Sequence, residues 1–229
     1  MDICSKIWRK LLKLRLQPIR VFCFHQVSES FDASTMWDGD WISVNDFKKR
    51  VLSMQAEGYK FISLQDAHAH VRQDMIRFRR YAVLTTDDGD KTIGGIIPWL
   101  AERNIPLTLF VCPAFLEGEQ REGKPRPMLL KKDVEDVVAQ YPHLISIGNH
   151  SMRHIYSTSL SEADFAEDVQ QAENYLTQFV NKIQYFAYPN GFHSVQTDDY
   201  LHTMGIIPVY CDGQKNYNEA DVIHREIIE

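Results

Sequence analysis

No two cysteines stand at CxxC spacing, no run approaches the roughly 20 apolar residues of a membrane-spanning helix, and no glycine-, serine- or proline-rich linker divides the chain. Of the four cysteines, Cys4, Cys23, Cys112 and Cys211, two (Cys23 and Cys112) lie inside apolar runs, where they read as small packed hydrophobes. A reducing, cytoplasmic location is the expectation that follows. Positive charge is also scarce: 25 basic against 31 acidic residues give a net charge of −6, which argues against nucleic acid as the main partner. A secretory signal is missing as well. Such a signal needs an uninterrupted apolar core of about 7–15 residues, whereas in the first stretch a cation recurs every few positions, at Lys6, Arg9, Lys10, Lys13 and Arg15.

That first stretch reads instead as a basic amphipathic helix over 1–18. Ile3, Ile7, Leu11 and Leu14 recur at helical spacing, and Pro18 stops the pattern. Two placements are open to it: packing on its own domain, or peripheral contact with an anionic membrane surface, which would put the protein at the inner face of the membrane. The remaining residues, 19–229, have the length and the apolar content for one α/β domain.

Apolar, β-rich runs alternate with helical patterns along most of that length. The strand candidates are 19–25, 60–63, 81–86, 106–111, 144–147, 184–187, 207–210 and 222–228. Among the helix candidates, one begins at a Ser43 cap and ends at Gly58, and another follows a Ser161 cap with Phe165, Val169, Ala172, Leu176 and Phe179 on one face. Alternation of this kind predicts parallel strands joined by helical crossovers, as a closed barrel or an open doubly wound sheet. Ligands bind beyond the carboxyl ends of such strands, so the residues that follow each strand are the ones to compare.

His25 follows the first strand, Asp87 and Asp88 the third, His150 and His154 the fifth, and the segment YPNG the sixth. Asp and His side chains gathered at one sheet edge suit a divalent metal, Zn²⁺ above all, with positions left for water and substrate. Each signal is weak alone. Histidines four apart are common in solvated loops, and Asp-Gly pairs are common in turns.

Taken together, the segments TTDDG (85–89), HSMRH (150–154) and FAYPNG (186–191) resemble the motifs of the polysaccharide deacetylase family, also called the NodB-homology or carbohydrate esterase family 4. FAYPNG is similar to the F-A-Y-P-x-G version of exopolysaccharide and biofilm deacetylases, in which a histidine near the start looks equivalent to His25 in FHQV. Thr86 departs from the family's aromatic, Ala187 stands where many members carry an arginine, and the late L-x-x-H motif is absent in its usual form.

The resemblance implies a distorted (β/α) barrel of about seven strands, a divalent metal (Zn, with Ni, Co or Mn as alternatives) and removal of an acetyl group from an N-acetylated carbohydrate. It implies Asp88, His150 and His154 as metal ligands and Asp87 as general base. The Tyr188 backbone N–H, with Pro189 and Asn190, would hold the oxyanion. His25 is the candidate acid, and Arg225 the candidate partner of Asp87 in place of the missing arginine. Two alternatives stay open: hydrolysis of another non-peptide C–N bond on the same fold, and a catalytically silent carbohydrate-binding protein. Trp37 and Trp41 can either stack on a sugar or pin their loop. His193 lies close enough in sequence to YPNG to reach the site. The run RFRR (77–80) reads as a solvated loop. Nothing in the residues specifies the oligomeric state.

Overall fold

The computed structural model describes residues 17–36, 38–72, 79–120, 125–217 and 221–228. Residues 1–16 of the expected basic helix, Trp37 and the first half of RFRR lie outside the described residues.

The run IRVFCF forms β1 (Ile19–Phe24), buried on both faces as a central parallel strand requires. Next come β2 (Gln26–Ser28) and β3 (Trp41–Ser43), which pair with each other to form a separate small sheet. Helix α1 (Val44–Ala56) starts where Ser43 accepts the Asp46 N–H at 3.0 Å, and it buries Phe47, Val51 and Met54 on one face. It is followed by β4 (Tyr59–Phe61), α2 (Leu64–Arg72), β5 (Arg80–Thr86), α3 (Ile97–Ala101), β6 (Leu107–Val111), α4 (Pro113–Leu116), α5 (Lys131–Gln140) and β7 (Ile145–Asn149). Helix α6 (Glu162–Leu176) is capped by Ser161 and faces the core through Phe165, Val169, Ala172 and Leu176. The chain continues through β8 (Tyr185–Ala187), α7 (Val195–Thr203), β9 (Ile207–Tyr210), β10 (Ile223–His224) and β11 (Glu226–Ile227).

Eight strands pair in the order β10-β9-β8-β7-β6-β5-β1-β11, every pair parallel, with β4 attached to the first half of β5. The two ends of that order belong to one segment. β10 pairs with β9 and β11 with β1, so residues 223–227 join the sheet's two edges and bring it close to a closed barrel. The single strand expected over 222–228 is therefore two strands, and the count is eight where about seven were expected. The break falls at Arg225, whose side chain is fully buried. The run VIHREII does carry polar residues at its centre, His224 to Glu226, but nothing in it says that its two halves pair with opposite edges.

Side-chain alternation sorts the strands into two apolar layers. Phe22, Phe24, Leu84, Leu107 and Leu109 pack with the outer helices through Phe47, Leu100 and Leu176. Val21, Val83, Phe110, Ala187, Val209 and Ile223 come from strands all round the ring and meet one another inside it. Gly148 on β7 leaves room for the Phe110 ring, since a Cβ there would stand 2.3 Å from a ring carbon. Phe110 in turn supports the Arg225 guanidinium, whose central carbon lies 5.2 Å from the ring centroid. Gly148→Ala is thus expected to lose about 1–3 kcal/mol of stability by overpacking. Urea denaturation checks this, and an unchanged midpoint would contradict it. Among the described residues, no helix is long and apolar enough to cross a membrane.

Candidate active site

At the carboxyl end of β5 the backbone leaves the strand through two consecutive left-handed residues, Asp88 (φ 70°) and Gly89 (φ 83°). On a continuing strand the side chains of Asp87 and Asp88 would point to opposite faces. The turn instead gives each carboxylate its own partners at one edge of the barrel. The Asp87 N–H donates to the Phe24 carbonyl at 3.3 Å, which ties the turn to β1.

Asp87 is almost fully buried and faces Arg225. One guanidinium nitrogen donates to Asp87 Oδ1 at 2.6 Å and the other to Oδ2 at 2.7 Å, the bidentate geometry of a strong charge-assisted pair. Arg225 also donates to Thr85 Oγ1 at 3.1 Å and to the Tyr210 carbonyl at 3.3 Å, so its fork cannot rotate away. Burial pushes the Asp87 carboxyl upward, but the charges of Arg225 and His150 outweigh it and hold the group at about 2.

Asp88 belongs to a different set. Its Oδ1 lies 3.4 Å from His150 Nε2 and 3.1 Å from His154 Nε2. His150 Nδ1 lies 2.8 Å from the Ala187 carbonyl oxygen, an acceptor that fixes the proton on Nδ1 and leaves Nε2 for the cluster. The HSMRH segment is no helix; left-handed turns at Ser151 (φ 68°) and His154 (φ 60°) fold the second imidazole back beside the first. Asp168 on α6 holds that loop by accepting the Met152 N–H at 3.0 Å, while Asn149 Oδ1 accepts the Ser151 N–H at 2.9 Å. Left-handed non-glycine residues are uncommon, and three of the five described here are Asp88, Ser151 and His154.

The other expected residues arrive at the same edge with differing involvement. His25 follows β1, with a ring nitrogen within 4.8 Å of both an Asp87 oxygen and Cys23 Sγ, and its Nδ1 is 3.8 Å from Asp40 Oδ1. Tyr188 and Pro189 are buried after β8; the Tyr188 N–H faces the Val209 carbonyl at 3.5 Å, the longest of the loop contacts, and Asn190 is exposed. His193 stacks on Tyr210 with centroids 3.9 Å apart and lies 3.4 Å from Asp198, which also accepts the hydroxyls of Tyr188 and Tyr210. These contacts prop the YPNG loop from behind. The Trp41 indole donates to Ser28 Oγ at 2.8 Å and packs against Phe31, pinning the first long loop.

Sequence reasoning missed Arg126, Asp40 and Asp168. Arg126 is fully buried, donating to Asp88 Oδ2 at 2.7 Å and to Asp40 Oδ2 at 3.0 Å. The available signal was the tripeptide Pro125-Arg126-Pro127, in which a lone cation sits in backbone held extended by prolines, inside a loop too long to be a mere connector.

A cation is what this arrangement lacks electrostatically. Asp40, Asp87, Asp88 and Asp90 face two guanidiniums, which leaves two negative charges, and against the opposing effect of burial Asp87 and Asp88 push His150 toward its protonated form. A divalent ion would balance them. The donor atoms fit one: two ligands each about 2.1 Å from a common ion at tetrahedral to right angles lie roughly 3.0–3.4 Å apart, and the Asp88-to-histidine separations are 3.1 and 3.4 Å. Cys23, His25 and Asp87 also lie within 4.8 Å of one another, but Arg225 occupies both Asp87 oxygens, so that set is a poor cation site.

The carboxyl edge of this parallel barrel thus carries an Asp-His-His group that could hold a divalent ion, beside a buried Asp-Arg pair. Residues 77–209 match the polysaccharide deacetylase profile, and the chain belongs to that family, whose members hydrolyse non-peptide carbon–nitrogen bonds. Among solved structures, IcaB from Ammonifex degensii superposes with a TM-score of 0.80 at 26% identity over 94% of both chains. The Streptococcus pyogenes deacetylase PplD in complex with acetate shares the fold at a TM-score of 0.79, with 18% identity over 92% of each chain. A de-N-acetylase from Aggregatibacter actinomycetemcomitans does so at 0.78, with 14% identity over 93% of this chain and 95% of that one. No curated protein matches the chain by sequence.

Proposed function

We propose that the protein removes the acetyl group from an N-acetylated amino sugar, in an oligosaccharide, a polysaccharide or a glycan precursor. The observation that carries this reading is the division of labour between neighbouring acids: Asp88 is turned toward two imidazoles, while Asp87 is held ionised by Arg225 outside that set. Asp88, His150 and His154 would hold a divalent ion, for which Zn²⁺ is the first candidate and Ni, Co and Mn the others. Bound there, the ion would supply a Lewis acid for the amide carbonyl and acidify a water.

The chain's own groups do the rest. Asp87 takes the proton released as water adds to the acetamide carbon, and Arg225 keeps that carboxylate aimed. The Tyr188 N–H, only loosely engaged at 3.5 Å, is the oxyanion donor beside Pro189 and Asn190. His25, within reach of Asp87 and near Asp40, delivers a proton to the sugar nitrogen as the C–N bond breaks, leaving acetate and a free amine. FHQV and FAYPNG favour the exopolysaccharide-type subgroup, and the basic segment 1–18 is compatible with a cytoplasmic enzyme that contacts the inner face of the membrane.

The test is acetate release by zinc-loaded protein from chito-oligosaccharides, UDP-N-acetylglucosamine and lipid-linked N-acetyl sugars. Release from at least one class, abolished in His154→Ala, supports the reading. Metal binding without release from any of them would move the assignment to another amide or to a silent binding protein.

A further inference from the structure

Arg126 is among the largest fully buried side chains, and its position is fixed by backbone pairing to the turn that carries Asp88. The Lys91 N–H donates to the Pro127 carbonyl at 2.8 Å and the Leu129 N–H to the Gly89 carbonyl at 2.8 Å, with an antiparallel bridge between Asp90 and Met128. Pro125 and Pro127 restrict the backbone on either side of Arg126, and burial alternates along 125–128 so that Arg126 and Met128 point inward while the prolines stay exposed. The guanidinium therefore meets Asp88 across a short, stiff ribbon.

Its bonding is divided in a way that charge neutralisation alone would not demand. One nitrogen donates to Asp88 Oδ2 at 2.7 Å, the second to Asp40 Oδ2 at 3.0 Å, and Nε lies 3.9 Å from Asp90 Oδ2 with no hydrogen-bond partner among the described residues. Leaving a donor of a buried guanidinium unsatisfied is costly, so the fork is set for the two bonds it does make. A carboxylate with both oxygens available can chelate an ion through both. With Oδ2 held by Arg126, Asp88 offers Oδ1 alone, at 3.4 and 3.1 Å from the two imidazole nitrogens.

We propose that Arg126 is a positioning residue for the metal centre: by holding Asp88 Oδ2 it makes Asp88 a one-oxygen ligand and sets both the affinity and the coordination geometry of the site. The proposal rests on the metal reading given above. It assigns residues 125–128 a function that the family motifs in this sequence do not cover.

The experiment titrates the metal-free protein with Co²⁺, follows the visible absorption of the bound ion, and measures Zn²⁺ affinity by competition. Arg126→Lys keeps the charge but not the fork, and Arg126→Met removes both. Both variants are expected to bind about 10–100-fold more weakly, with a visible band whose intensity departs from that of the wild type because Asp88 can now bind through two oxygens. Wild-type affinity and spectrum in Arg126→Lys would overturn the proposal, since charge alone would then suffice. Should neither variant fold, Asp40→Asn decides: it loosens the Arg126 anchor while leaving Asp88 intact, and an unchanged spectrum there would also overturn it. His154→Ala is run alongside. If the wild type itself binds no Co²⁺, the metal reading fails and the proposal falls with it; if the wild type binds and the Arg126 variants match it, only the proposal falls.

Discussion

Asp87→Asn is expected to lower kcat for acetate release by about 10²–10⁴-fold, the range contributed by a positioned general base, while leaving the metal content unchanged. Asn retains one oxygen to accept from Arg225, so the buried guanidinium keeps a partner and the barrel stays folded. The proposed ligand set Asp88, His150 and His154 is untouched by the change. Asp88→Asn should behave in the opposite way, losing metal first and activity as a consequence. Parallel metal analysis and acetate assays on the two variants separate the roles. Metal lost from Asp87→Asn and kept by Asp88→Asn would reverse them.

Arg225→Leu is the second change with a large effect, and it acts on stability and on pH dependence together. Removing one member of a fully buried ion pair leaves the other as an uncompensated charge, which costs about 3–5 kcal/mol. Asp87→Leu in the same chain should recover much of that stability without activity, because the charge then goes with its partner. In the wild type, Asp87 is depressed to about 2, against an ordinary value of about 3.9. A depressed carboxyl contributes stability that is present above the unfolded value and lost as pH falls, here between about pH 4 and pH 2. In Arg225→Leu the upward push of burial loses its main opponent, so Asp87 protonates at higher pH and the acid limb of the activity profile moves up. Guanidinium denaturation at several pH values and a pH–kcat profile measure both effects. A variant within 1 kcal/mol of the wild type, with an unmoved acid limb, would refute this account of the pair.

What the sequence discloses about this molecule follows the range of the interactions involved. β1, β5, β6 and β7 are buried on both faces, so their apolar runs are continuous and can be read within a residue or two. Helices α1 and α6 announce themselves through the Ser43 and Ser161 caps and a regular apolar face. Once the strands are parallel, the groups after them must share an edge, and for that reason His25, Asp87, Asp88, His150 and His154 can be collected without coordinates. Arg225 is legible only as a lone cation in an apolar run, and its partner is set by a contact 138 residues away. Asp168 looks like any polar position on α6, because the loop it steadies approaches from outside the helix. Asp40 ends a single 3₁₀ turn and Arg126 stands between two prolines, segments too short for a sequence period to say which side chain turns inward. The double service of residues 223–227 is hidden because pairing partners, not composition, decide that a strand ends at Arg225.

That last feature bears on the order in which the molecule is assembled. The segment that joins β9 to β1 also carries the guanidinium that aims Asp87, so this carboxylate is oriented only after the two edges of the sheet have met. Contacts so distant along the chain form late, after the local hairpin-free βα units have paid their loop entropy. On the proposed roles, catalytic competence is therefore a readout of completed folding: a molecule with an open seam retains its Asp-His-His group, contributed by the turns after β5 and β7, yet lacks an aimed base. Such a species would take up metal before it could turn over substrate, and during refolding the two signals should separate in time.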